Sequence, residues 1–252
     1  MLTTNPKYSK LYNVAFNSVK RILKEIPPSH GYEHANLVAK HVDKATHPQY
    51  EPDLTDETRF NLILIGLCHD LDDRKTFPQH SNNENTREVL NELQINNNDT
   101  IYIIDGINLV SASKNGDSIP QNYSIQILIP RYIDRGQAIG PTGVLRTYQY
   151  TKEVEMKFYT PETIRANSEE ELYQLVTKQR YYNYCTVNKG VSASMIDHIY
   201  DKLMWIHEVP PQITNQYVLD YMESNKQTLI DLVILFGRQG YLTEAQILSF
   251  TY

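Results

Sequence analysis

Between residues 60 and 68 the chain is apolar almost without interruption: Phe60, Leu62, Ile63, Leu64, Ile65, Leu67 and Cys68. No face is left for water, so whatever this segment forms must be buried. Periodicity alone does not separate a buried strand from a buried helix, but the length from residue 57 to 70 favours helix. Thr55 and Asp56 give it a polar start. The run ends in His69-Asp70. Polar side chains at the end of a buried element are costly unless they find partners. The segment that most constrains the fold therefore also delivers two groups in need of one.

The other periodic segments read as helices. Over residues 8–24, Leu11, Val14, Ala15, Val19, Ile22 and Leu23 recur close to a 3.6-residue period. Pro27-Pro28 ends that run, and Ser29 is the expected N-cap of a helix reaching about Ala45, with Ala35, Val38, Ala39 and Val42 on its apolar face. A short amphipathic helix over 84–93 is broken by Asn96-Asn97-Asn98-Asp99, and apolar periodicity resumes over 101–110. Residues 114–122 read as loop. Residues 126–148 are expected helical up to Gly140-Pro141, with a second short stretch after it. Residues 151–190 differ in character and read as an insertion or excursion with an internal helix over 169–180. Two strong helices follow, over 195–208 and 215–236, separated by Pro210-Pro211. There is no alternating βαβ pattern and no internal repeat, so the expectation is one all-α domain over 1–252.

Composition narrows the function. The 252 residues carry a net charge of -6, which gives no electrostatic basis for binding long nucleic acid. An acidic protein that handles phosphates must bring cations locally. Two cysteines, Cys68 and Cys185, make no disulfide framework, and Cys68 belongs to the apolar run. The polar N-terminus offers no signal peptide, and the run over 62–68 is too short to cross a bilayer. The expected setting is cytoplasmic, with no membrane partner.

Four residues carry ligand chemistry in one order: His34, the pair His69-Asp70, and Asp134. Imidazole nitrogen and carboxylate oxygen suit a borderline divalent cation. Helix neighbours such as His69 and Asp70 point about 100° apart, so both reach one ion only if it sits at the helix end. His34 would come from the preceding helix and Asp134 from a later one, leaving positions for water and a substrate oxygen. The plainer alternative is a helix cap at His69-Asp70 and a hydrogen-bonded core histidine at His34.

The order His, His-Asp, Asp is similar to that of the HD phosphohydrolase superfamily, and the resemblance extends further. Residues 29–34 (SHGYEH) resemble its first motif, 69–75 (HDLDDRK) its central motif, and 133–140 (IDRGQAIG) its third. The continuation GVLRT over 143–147 also matches. Residues 196–203 (IDHIYDKL) resemble a final helix with His and Lys one turn apart. Only 151–190 fall outside the pattern. The chain departs from it at Gly31, where the family usually has Asp, and at Tyr132 and Gln137, where it usually has acidic residues. The serine-rich segment survives partly, as Val110-Ser111-Ala112-Ser113-Lys114.

The resemblance implies an HD-type helical bundle with an insertion around 151–190. It also implies one divalent ion, Mn before Mg, Co, Ni, Fe or Zn, held by His34, His69, Asp70 and Asp134. The activity implied is release of phosphate or pyrophosphate from a small phosphorylated substrate, a nucleotide first. Asp73, three residues after Asp70, is the candidate to take or orient the water proton, and His30, one turn before His34, to protonate a leaving group. Lys75, Arg135, Arg146, His198 and Lys202 are the family-matched phosphate cations. A homodimer is compatible with the sequence. The departures at Tyr132 and Gln137 keep open a second reading, a non-catalytic nucleotide-binding module with a sensing or scaffold role.

Overall fold

The computed structural model describes residues 5–27, 30–74, 76–111, 118–204 and 208–251. Ser29, Lys75, residues 112–117 and His207 lie outside the described residues; the helix expected to be capped by Ser29 starts later, with Gly31 as its N-cap. Every regular element among the described residues is helical, as the all-α reading requires. The chain divides into two compact units, Met1–Asp134 with Pro210–Leu219, and Arg135–Val209 with Asp220–Tyr252.

In the first unit, α1 (Pro6–Ile22) starts where Asn5 accepts a hydrogen bond from Lys7 N, with proline in the first turn. Helices α2 (Tyr32–Ala45) and α3 (Asp56–Cys68) form its centre. Thr55 caps α3, accepting from Thr58 N at 3.1 Å, and all residues from Phe60 to Cys68 are buried. The two helices pack closely because Gly66 has no side chain: a Cβ there would stand 3.0 Å from Val42 Cγ2 and 3.3 Å from Val38 Cγ1. Tyr12 donates to Asn36 Oδ1 at 2.7 Å and fixes α1 to α2.

Helix α4 (Glu84–Glu92) precedes α5 (Asn97–Val110). The asparagine run that was expected only to break the chain also starts α5: Asn96 Oδ1 accepts from Asp99 N at 3.0 Å, so the cap does both. A 3-10 turn (Ile125–Leu128) leads into α6 (Ile129–Ile139), which brings Asp134.

In the second unit, Pro141 does not merely end a helix but opens another, α7 (Pro141–Glu153), since proline is well suited to the first helical turn. The single helix expected over 169–180 is two: α8 (Glu169–Leu175) and α9 (Lys178–Thr186). Thr177 separates them by accepting from Arg180 N at 3.2 Å. The expected helix from Met195 is α-helical only over α10 (Met195–His198) and π-wound over Ile199–Leu203. Arg180 donates to Asp197 at 2.9 Å and Asp201 at 2.5 Å, so the region expected to be an excursion is pinned to this turn. The long helix α11 (Gln216–Gln239) buries Leu229, Ile230, Leu232, Val233 and Phe236, and α12 (Glu244–Leu248) opens on a capping box.

Candidate metal centre

All four sequence-predicted ligands belong to the first unit: His34, His69 and Asp70 offer ligand atoms within 4.8 Å of one another, and Asp134 approaches the two imidazoles. His34 lies in the first turn of α2 and His69 caps the C-terminus of α3. Asp70 follows at the same end, and Asp134 comes from α6. The His34 and His69 Nε2 atoms are 3.2 Å apart. His34 Nε2 stands 3.2 Å from Asp134 Oδ1 and 3.8 Å from Asp70 Oδ2. His69 Nε2 stands 3.3 Å from Asp70 Oδ2 and 3.5 Å from Asp134 Oδ1. Donors bonded to one ion at about 2.1 Å stand about 3.0–3.4 Å apart when adjacent. The measured separations fall at or slightly beyond that spacing.

Local structure sets the orientation of His69. Its Nδ1–H donates to the Gly66 carbonyl at 2.9 Å. In the neutral ring this leaves the Nε2 lone pair facing His34 and the two carboxylates, the tautomer a metal ligand needs. Gly66 thus acts twice, by letting α3 approach α2 and by fixing the ring. The imidazoles are almost fully enclosed, with side chains 2% and 3% exposed, whereas Asp70 is 15% and Asp134 25% exposed. The open side of the cluster is its carboxylate side.

The four side chains act strongly on one another's charge. Burial by itself disfavours charge on His69, yet the Asp70 charge and hydrogen bonding to Asp134 hold its pKa well above the ordinary value. Burial likewise disfavours the ionised carboxylates. The imidazoles overcome it: His69 first for Asp70, and hydrogen bonds from His34 and His69 for Asp134. Both carboxyl groups are held well below the usual range. Two imidazoles and two carboxylates so placed attract positive charge, and a divalent cation suits that donor set.

The remaining predicted residues divide. The charge of His30 helps hold the Asp70 carboxyl down. Asp73 sits in the turn after Asp70, its N–H 3.3 Å from the Asp70 carbonyl. Lys75 lies outside the described residues. Arg135, Arg146, His198 and Lys202 belong to the second unit. There Arg135 is buried, and His198 lies 3.4 Å from Ser192 Oγ with its ring against Tyr184 and Tyr150. Tyr132 and Gln137 are buried as well.

Sequence reasoning passed over the Asp72–His80 pair. Asp72 accepts from His80 Nδ1 at 2.7 Å, Asn85 N at 2.9 Å, Thr86 N at 2.9 Å and Thr86 Oγ1 at 2.7 Å. Asp72, His80 and Glu84 offer ligand-type atoms within 4.8 Å of one another. Each Asp72 oxygen already accepts two hydrogen bonds, so this carboxylate serves the start of α4. Its partners are eight to fourteen residues away, a spacing that carries no sequence signal.

No family model matches the chain. It is 32% identical over 222 residues to the uncharacterized protein L803 of Acanthamoeba polyphaga mimivirus, covering 82% of this chain and 88% of that one. Among solved structures it resembles a protein of Lactobacillus plantarum, with a TM-score of 0.62 at 19% identity over 95% of this chain and 99% of the other. A Listeria innocua protein gives 0.57 at 16% identity, over 92% and 99%. An HD-superfamily hydrolase from Bacillus thuringiensis gives 0.59 at 17% identity, over 93% and 98%. With this likeness and the His34, His69-Asp70, Asp134 cluster on one frame, the chain belongs to the family of the mimivirus protein, and its fold is that of the HD superfamily.

Proposed function

We propose that this protein is a metal-dependent phosphohydrolase that releases phosphate or pyrophosphate from a small phosphorylated substrate, most simply a nucleotide. The convergence of the His34 and His69 Nε2 atoms with the Asp70 and Asp134 carboxylates carries the reading. These four residues would hold a divalent ion, which would supply Lewis acidity to a phosphoryl oxygen and lower the pKa of water toward neutrality; Mn is the ion that the family resemblance implies first.

The chain's own groups do the rest. His69 is oriented by the Gly66 carbonyl, and His34 is fixed in the first turn of α2, so neither ring needs to reorganise. The enclosed imidazole side keeps water out, and the more exposed carboxylates mark the side from which substrate enters. In this reading Asp73, in the turn after Asp70, accepts or orients a proton from water, and His30 protonates the leaving group or holds a hydrogen bond behind the ligands. Arg146, His198 and Lys202, with Lys75 and Arg135, are the cations proposed to meet phosphate oxygens.

The test is elemental analysis of the purified protein, followed by phosphate and pyrophosphate release from a panel of nucleotides and sugar phosphates with Mn, Co, Ni or Mg. The expected result is turnover that is lost in His69→Ala and Asp134→Asn. No release from any compound with any metal overturns the catalytic reading. Burial of Tyr132 and Gln137, where acidic groups are usual, favours the second reading, a nucleotide-binding module. That reading predicts thermal stabilisation by a nucleotide without turnover.

A further inference from the structure

Arg131 stands on α6 one turn before Asp134 and is fully buried, at 0% exposure. Its Nε donates to the Leu109 carbonyl at 2.7 Å and its Nη1 to the Ser118 carbonyl at 2.8 Å. An enclosed guanidinium is an expensive way to fill space, since an apolar side chain does so without desolvating a charge. Something in the geometry must require its forked donors.

Leu109 lies in the last turn of α5, where a helix leaves its carbonyls without intrahelical partners. The same end carries the negative pole of the helix. Arg131 therefore closes α5 from the side with a positive group. Ser118 lies on the far side of the connection that leaves α5, so one guanidinium gathers both ends of that connection onto α6. Other contacts hold α5 to the stretch leading into α6. Tyr123 donates to the Asp105 carboxylate. The Tyr102 and Tyr123 rings meet edge to face at 5.6 Å. A Cβ on Gly106 would stand 3.4 Å from Ile127 Cγ1 and 2.2 Å from Ile65 Cδ1, so α5, α3 and the 3-10 turn approach closely there. The guanidinium is rooted on α6 itself and carries that hold onto the helix bearing Asp134.

Rotation of α6 matters for Asp134 because its carboxylate must meet two imidazoles fixed on other helices, at 3.2 and 3.5 Å. Residues three apart lie within about 60° of each other around a helix, so a fastener at 131 controls the direction in which 134 projects. We propose that Arg131 is a positioning residue: by bonding the Leu109 and Ser118 carbonyls it sets the rotation of α6 that brings the Asp134 carboxylate to His34 and His69. The proposal rests on the reading of these residues as metal ligands.

The test measures Mn binding by titration calorimetry on the full chain, at a temperature where thermal melts show each variant folded. Arg131→Met is expected to bind Mn roughly 10- to 100-fold more weakly than the wild type, the range seen when groups that orient ligands are lost. Arg131→Lys, which keeps the charge but not the fork, falls between them. Leu229→Ala, a buried truncation in the second unit, serves as the destabilised control and keeps wild-type affinity. Wild-type affinity in folded Arg131→Met overturns the proposal while leaving the metal site standing. If Arg131→Met does not fold, wild-type affinity in Arg131→Lys overturns it. An equal loss in Leu229→Ala also overturns it, because the effect then follows stability rather than position. A wild-type protein that binds no Mn overturns the metal reading itself, and this inference with it.

Discussion

Gly66 concentrates two requirements in one residue. Its missing side chain admits Val38 and Val42 of α2, and its carbonyl receives the His69 ring. Gly66→Val forces α3 away from α2 and is expected to cost about 1–3 kcal/mol, the usual range for overpacking a tight interior. Because His34 and His69 come from those two helices, Mn affinity should fall with it; urea unfolding and calorimetric titration check both. Asp72 argues the opposite case. It looks like a member of an acidic trio with Asp70 and Asp73, yet its oxygens bind the first N–H groups of α4, the Thr86 hydroxyl and His80. Asp72→Ala should therefore behave as a lost cap, lowering stability by about 1–2 kcal/mol in urea unfolding.

At the scale of elements, α2 is joined to the start of α11 through His41, whose Nδ1 lies 2.8 Å from the Tyr217 hydroxyl. Burial, aided by Lys44, lowers the His41 pKa to about 4. The unfolded chain protonates this ring near pH 6.5 and the folded one resists, so its stabilising effect is present above pH 6.5 and is lost as pH falls through about 4. Discounted for partial exposure, the loss is roughly 1 kcal/mol. Thermal melts of wild type and His41→Gln across that window should converge toward acid, whereas parallel curves contradict the assignment. The same elements show what the sequence could reveal. The apolar run of α3 could only be buried, and His34, His69-Asp70 and Asp134 kept a recognisable order, so the helical core and the convergence of these four side chains were legible. The break at Thr177, the π-turn after His198 and the roles of Gly66, Asp72 and Arg131 were not. Each depends on hydrogen bonds or close approaches whose partners only tertiary packing selects.

For the whole molecule, a net charge of -6 works against polyanionic substrates, and two of the carboxylates in that balance, Asp70 and Asp134, stand at the candidate metal cluster. A bound divalent cation cancels that local charge, so metal binding should be strongly linked to folding. An ion that binds only the folded state stabilises it by about 2.7 kcal/mol at a hundredfold excess over its dissociation constant. In a chain of this size each kcal/mol moves the Tm by about 2–4 °C, so the expected rise is roughly 5–11 °C. The order of metals is as diagnostic as the size. Two enclosed imidazoles favour Co and Ni, and Mn less strongly, over Mg or Ca, which favour oxygen throughout. Thermal melts in chelator and in each metal should place the first three well above the last two, with no rise in Asp134→Asn. Equal rises with Mg, Ca and Mn would mean that carboxylates alone hold the ion and that the imidazoles of His34 and His69 are not its ligands.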